Sequence, residues 1–296
     1  SAASDVYKRQ QHLPVMRPRR LPRRQRFSGQ SFNRMLPNLM TLLGLCVGLS
    51  SIRLGLEGRF GAAVLAIAVS GVIDGLDGRL ARLLKATSRF GAEFDSLADF
   101  LCFGIAPALL LYMWSLQPWG AIGFLPPLMF AAAMALRLAR FNAALDSAPK
   151  AAFAYNFFTG VPAPAGAGLA LFPLFIGLAA NEHDQFWLQD VVSYPLFTGA
   201  VLAMAAVLCV STLPVWSFKN FKIPTAGILP LLLGVVVFAA LIFADPFIAG
   251  ALAGLAYIVM LPFSLRSYQK LAREAKARRD AAMVADDEPA AMQPEV

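Results

Sequence analysis

Eight stretches of roughly 20 predominantly apolar residues follow one another along the chain, each about long enough to cross bilayer hydrocarbon as a helix. They run over Met35–Leu56, Phe60–Arg79, Phe90–Trp114, Trp119–Asn142, Pro162–Ala180, Ser193–Leu213, Ile228–Phe243 and Pro246–Leu265, the seventh being the shortest. Within hydrocarbon only helices or closed barrels satisfy the backbone. Continuous apolar runs, without period-two alternation, select helices. The expected fold is an all-α polytopic membrane helix bundle. Composition agrees: 58% of residues are hydrophobic and 15% charged, against about 25% charged in a soluble domain. An ordinary soluble globule and a disordered chain are both excluded.

The formal charge of +8 would point a soluble protein toward nucleic acid. In a membrane protein it points to basic loops held at the cytoplasmic face, so no nucleic-acid partner is expected. With the N-terminus inside, 24 of the 26 Lys and Arg fall in inner segments, and only Arg53 and Arg59 flank an outer turn. The outer loops are neutral or acidic, with Glu182, Asp184 and Asp190 in one and Asp245 in another. Both termini are therefore expected in the cytoplasm. Residues 1–34 are Arg- and Pro-rich and cannot bury a core; the run Arg17–Arg26 reads as a solvated topology determinant or a contact for anionic lipid heads. Ser1–Gln10 shares no character with the residues after it, and no signal peptide is evident. Residues 35–265 form the membrane domain. From Arg266 a basic amphipathic helix is expected to run to Arg279, with Asp280–Val296 disordered.

Chemistry without His or Cys is expected. Cys46, Cys102 and Cys209 are dispersed in apolar stretches, and His12 and His183 lie in polar segments. Acidic residues inside spans are costly and so are functional candidates. Four occur together: Asp74 and Asp77 on the second span, Asp95 and Asp99 on the third, with Glu93 beside them. Spacings of three and four put each pair on one helix face. The second span ends inside and the third begins inside, so an antiparallel hairpin brings both pairs together near the cytoplasmic edge. Four carboxylates cannot share a low-dielectric pocket unpaired. Protons, metal ions or basic partners such as Arg79, Arg82 and Arg89 must offset them, and a proton or cation pathway is a further reading. All-oxygen ligation favours Mg²⁺ or Mn²⁺, and two such ions would clamp a phosphoryl displacement. Gly75, Gly78 and Ala81 recur at three-residue steps and allow a ligand or a helix to approach the backbone.

The string Asp74-Gly-Leu-Asp77-Gly78-Arg-Leu-Ala81-Arg82, eight residues, then Gly91-Ala-Glu-Phe-Asp95-Ser-Leu-Ala-Asp99 resembles the signature of the CDP-alcohol phosphatidyltransferase family, D-x2-D-G-x2-A-R-x8-G-x3-D-x3-D, with every specified position filled. Leu36–Thr41, Asp99–Ala108, Leu136–Asn142 and Phe158–Pro164 are similar to the bacterial membrane-embedded branch that uses serine as acceptor alcohol. The resemblance covers roughly Asn33–Leu265. It implies a six-span core, with the last two spans an extension, in a bacterial cytoplasmic membrane with the site near the cytoplasmic face. It implies transfer of a phosphatidyl group from CDP-diacylglycerol to L-serine with release of CMP. Asp74, Asp77, Asp95 and Asp99 would hold Mg²⁺ or Mn²⁺, two ions in all, and Asp99 would also act as general base. Gly78, Ala81 and Gly91 would line the nucleotide pocket, and Arg82 would support the carboxylates or the diphosphate.

Arg137, Arg140 and Asn142 end the fourth span at the same inner level. Arg forks suit oxyanions, so they are candidates for the serine carboxylate or a lipid phosphate, with interfacial snorkelling the alternative. Thr159 is a weaker binding candidate in a loop that leads, through Pro162 and Pro164, into the fifth span. Rival readings are choline or glycerol 3-phosphate as acceptor, or a cation transporter using the Asp cluster. A homodimer is left open.

Overall fold

The computed structural model describes residues 32–145, 157–216 and 225–287. The basic run Arg17–Arg26 and the loop cations Lys150, Lys219 and Lys222 lie outside the described residues. The helices are α1 (Phe32–Leu56), α2 (Phe60–Leu83), α3 (Arg89–Gly123), α4 (Leu125–Leu145), α5 (Ala163–Ala170), α6 (Phe172–Glu182), α7 (Phe186–Val192), α8 (Pro195–Val210), α9 (Thr225–Ala244) and α10 (Pro246–Asp287).

The bundle matches the expected fold class. Five helices are single spans by length and apolarity, over Met35–Leu56, Phe60–Leu83, Arg89–Gly123, Gly227–Ala244 and Pro246–Leu271. Two further expected spans are bent pairs: α5 with α6 at 47° and α7 with α8 at 55°. Each bend carries a proline in the first turn of its second helix, Pro173 and Pro195. Proline has no N–H to continue the ladder, and its ring crowds the carbonyl four residues back. The fourth expected span corresponds to α4, which has 21 residues and carries Arg137 and Arg140.

Close approach of α1, α2 and α3 rests on small residues. A side chain at Gly48 would overlap Cys102 Sγ, and Ser70 Oγ donates to the Gly44 carbonyl at 2.9 Å. The core between α3, α4 and α8 is filled by Leu110, Leu116, Phe130, Met134 and Leu202, all buried. Along α3 the ladder widens into π turns at Phe100–Ile105, directly after Asp99, and at Tyr112–Leu116.

Two features differ from the sequence expectation. The segment expected as a loop contains β1 (Phe157–Thr159), paired antiparallel with β2 (Pro214–Trp216), Phe158 opposite Val215. Gly160 comes next with φ +77° and donates to the Leu213 carbonyl at 2.8 Å, a left-handed turn that glycine adopts without steric cost. Ser264 Oγ of α10 donates to the Pro214 carbonyl at 2.8 Å, tying the last span to this ribbon. The second difference is at the C-terminus. α10 stays helical to Asp287, through residues expected to be disordered from Asp280; the Ala-rich stretch there favours helix.

At the far end of α10, Asp245 caps its first turn. Its Oδ1 accepts from Phe247 N at 3.0 Å and Ile248 N at 2.9 Å, and His183 Nε2 lies 2.8 Å from its Oδ2. This joins the α9–α10 turn to the end of α6. Burial pushes the Asp245 carboxyl up, but the donors from Ile248, His183 and Phe247 outweigh it and hold it below its ordinary 3.8. The linked stability is complete above pH 3.8 and is lost as pH falls through the lower folded value. Asp245→Ala should cost about 1–2 kcal/mol at pH 7 by loss of the cap, read as a lower melting temperature in detergent micelles. The gap between variant and wild type should narrow as pH falls below 3.8.

Candidate active site

Residues from the first three helices build the site. α2 ends and α3 begins at one end of the bundle, and the turn between them is set by Ser88, whose hydroxyl accepts from Gly91 N at 3.0 Å as the α3 N-cap. This hairpin brings Asp74, Asp95 and Asp99 together. One carboxylate oxygen from each lies within 4.8 Å of the others, and all three residues are half-buried. Asp74 and Asp99 are within hydrogen-bonding reach of one another.

Asp77, expected as a fourth equivalent member, stands apart from that group of three. It is 3% exposed, and its Oδ2 accepts from Thr41 Oγ1 at 2.6 Å. Thr41 is also buried and lies on α1, one turn from the Pro37 carbonyl. In the sequence Thr41 enters only as part of the Leu36–Thr41 resemblance. No spacing rule links a threonine on one span to an aspartate 36 positions later.

The donor set suits a metal ion. It is all carboxylate oxygen, convergent and half-buried, and among the described residues no Lys or Arg nitrogen lies within 4.0 Å of any of the four aspartates. The alternative of salt bridges to Arg79, Arg82 and Arg89 is not what forms. Arg82 Nε donates to the Gly78 carbonyl at 3.1 Å.

A cavity of about 300 Å³ opens beside the carboxylates. Asp77 and Asp95 lie on its wall, and the four residues expected to contact a nucleotide, Gly78, Ala81, Arg82 and Gly91, all line it. So do Asn38 and Thr41 of α1, which the site expectation does not include. The glycines serve it in different ways. A Cβ at Gly78 would meet nothing within 4 Å, so glycine leaves open space over α2. A Cβ at Gly91 would lie 3.0 Å from Asn38 Oδ1, so glycine lets α3 close on α1.

The residues of α4 take backbone partners. Arg137 Nε donates to the Val161 carbonyl, and Arg140 donates to the Val210 carbonyl at 2.7 Å. The two arginines thus hold the segment after β1 and the end of α8 against α4. Arg137 is also within electrostatic reach of Asp99. Asn142 Oδ1 accepts from Ser96 Oγ at 3.1 Å, and its amide lies 3.5 Å from Glu93 Oε2, which pins the start of α3. Thr159 is the last residue of β1, and its side chain is outside the described residues.

Comparison with known proteins covers the stretch of chain that holds the site. The family model described as CDP-alcohol phosphatidyltransferase matches residues 34–211, and that described as CDP-alcohol phosphatidyltransferase 2 matches residues 228–262. A CDP-diacylglycerol–serine O-phosphatidyltransferase of Mycobacterium bovis is 38% identical over 241 residues, 81% of this chain and 81% of that protein. One of the same name from Helicobacter pylori is 34% identical over 212 residues, 72% of this chain and 83% of that one. An archaetidylserine synthase of Methanothermobacter thermautotrophicus is 34% identical over 137 residues, 45% of this chain and 54% of its own length.

A cation that binds only the folded site stabilises it, by about 2.7 kcal/mol at a hundred times its Kd. Mn²⁺ should therefore raise the melting temperature of the wild-type protein in detergent and leave the Asp74→Asn/Asp95→Asn variant unmoved. A shift that survives in the variant would put the ion elsewhere.

Proposed function

The chain belongs to the CDP-alcohol phosphatidyltransferase family, and from that premise we propose that it transfers the phosphatidyl group of CDP-diacylglycerol to the hydroxyl of L-serine and releases CMP. The observation that carries this is the juxtaposition of the aspartate cluster with a cavity lined by Gly78, Ala81, Arg82 and Gly91. Relatives named for the serine reaction cover most of the chain and support serine as the acceptor.

Asp74, Asp95 and Asp99, with Asp77 on the cavity wall, would hold Mg²⁺ or Mn²⁺, two ions in all. Bound there, such ions supply Lewis-acid stabilisation of the charge that develops on the diphosphate. The cavity receives the cytidine nucleotide, and the open face at Gly78 gives it backbone contact. Asp99 takes the proton of the serine hydroxyl as the serine oxygen attacks the phosphorus bearing diacylglycerol. One phosphorus–oxygen bond forms, the one to CMP breaks, and CMP leaves as the anion. A positioned base of this kind contributes roughly 10²–10⁴-fold. Thr41 holds Asp77 in place. Arg137, near Asp99 and already oriented by the Val161 carbonyl, receives the serine carboxylate. Arg140 and Asn142 brace the elements around it. Choline has no carboxylate for Arg137 to meet, and glycerol 3-phosphate would call for more cations than the site offers.

A cation transporter is disfavoured by the placement of the carboxylates at one end of the bundle beside a cavity, since transporter ion sites lie near the midplane at a repeat interface. Three further readings go with the transferase. The membrane is the bacterial cytoplasmic membrane, the site opens near its cytoplasmic face, and both termini lie inside, a reading that the distribution of Lys and Arg supports. The partners are the two substrates and membrane lipid, without nucleic acid; the chain acts alone or as a homodimer.

Purified protein given CDP-diacylglycerol and Mn²⁺ should release CMP with serine and not with choline or glycerol 3-phosphate. No release with any of the three would overturn the transferase reading. Asp99→Asn should lower turnover by about a hundredfold or more while CMP still binds. Gly78→Leu should weaken CMP binding with little change in melting temperature, because its side chain starts in open space. A reporter fused in the Glu182–Asp190 loop should be active only in the form that requires export; cytoplasmic activity there would reverse the orientation.

A further inference from the structure

One face of α10, the eighth span, reaches toward the carboxylate end of the bundle. Ser264 Oγ, buried, donates to the Pro214 carbonyl of β2 at 2.8 Å. Tyr257 lies two turns earlier on that face, about 10 Å deeper in the bilayer. Its hydroxyl is sealed from bulk water and, among the described residues, has no hydrogen-bond partner. A buried unpaired hydroxyl is costly and uncommon. Its electrostatic neighbours are Cys209 of α8 and Arg137 of α4. Cys209 is itself buried, and a side chain at Gly166 of α5 would overlap its Sγ. Thus α4, α5, α8 and α10 meet at one corner, and Arg137 brings a guanidinium into it.

Arg137 has donors to spare. A guanidinium carries a rigid fork of N–H groups. The Arg137 Nε donates to the Val161 carbonyl, and among the described residues neither terminal nitrogen has an acceptor. A spare donor and an empty acceptor in one sealed corner are complementary. One terminal N–H given to the Tyr257 oxygen leaves the other terminal nitrogen for an oxyanion beside Asp99, which also acts on Arg137. Hydrogen bonds of this kind are often long or unmade without substrate and close in the complex.

We infer that Tyr257 is a positioning residue for Arg137. Its hydroxyl oxygen accepts from the guanidinium when the serine carboxylate binds, so that the fork meets the carboxylate in one orientation. This rests on the proposed assignment of Arg137 to the serine carboxylate. It gives the eighth span, which lies outside the first three that carry the aspartates, a part in affinity for the acceptor alcohol.

The test is steady-state CMP release by the full chain in detergent micelles, with Mn²⁺, saturating CDP-diacylglycerol and varied serine. Tyr257→Phe should raise the serine KM about three- to tenfold, one hydrogen bond's worth, with kcat and the KM for CDP-diacylglycerol unchanged. Its melting temperature should not fall, because the only group removed is an unpaired hydroxyl. In an Arg137→Met background Tyr257→Phe should have no further effect, since methionine has nothing to give the hydroxyl. An unchanged serine KM in Tyr257→Phe, or the same rise in the Arg137→Met background, overturns the proposal. So does a fall in kcat together with the melting temperature, the mark of a merely structural tyrosine. Where Arg137→Met does not fold, the split between KM and kcat in Tyr257→Phe decides alone. A wild-type serine KM in folded Arg137→Met overturns the carboxylate assignment and this proposal with it, while leaving the transferase reading intact. Wild-type protein that releases no CMP with serine overturns all three.

Discussion

Four carboxylates set near the ends of two apolar helices dictate the rest of the architecture. A charge there is expensive unless it is offset, and no guanidinium or ammonium of the described residues comes within 4.0 Å to offset it. The surrounding features answer that constraint. The α2–α3 hairpin brings three carboxylates to within 4.8 Å, a distance at which a divalent ion can bind them all. α1 supplies Thr41 to the one that stays outside the group. Small residues at Gly48 and Gly91 let the three helices approach closely enough for both contacts.

The two arginines of α4 are used differently from the way their chemistry first suggests. Arg137 and Arg140 each give a hydrogen bond to a backbone carbonyl where the chain leaves regular helix, at Val161 and Val210. Both carbonyls belong to segments beside the β1–β2 ribbon, which Ser264 of α10 also holds. One set of contacts thus fixes α4, α8 and α10 relative to one another. An arginine so fixed presents its remaining N–H groups with less rotamer freedom to lose on binding an anion.

The sequence carried most of the features that depend on local periodicity and spacing. Span limits such as Met35–Leu56 are legible because bilayer thickness fixes helix length, and the carboxylate cluster is legible because three- and four-residue steps share a face. Features that depend on direction or on distant partners were not legible. Hydropathy sums are blind to the bends at Pro173 and Pro195. Two three-residue strands more than 50 positions apart carry no pairing signal of their own. Thr41 enters the sequence reading only within the Leu36–Thr41 resemblance, and its role comes from Asp77, which the fold sets opposite it.

The pairing of Thr41 with Asp77 has a consequence for biogenesis. Every side chain of the carboxylate cluster, and every residue lining the cavity beside it, falls between Pro37 and Asp99. The carboxylate end of the molecule is therefore local in sequence, whereas an apolar cavity of about 350 Å³ is walled by α2, α3, α5, α6 and α10. A chain inserted N-terminus first can assemble the carboxylate site from its first three spans while the later ones are still being made. Capacity for an ion would then mature before the last span entered the membrane and completed the wall of the apolar cavity.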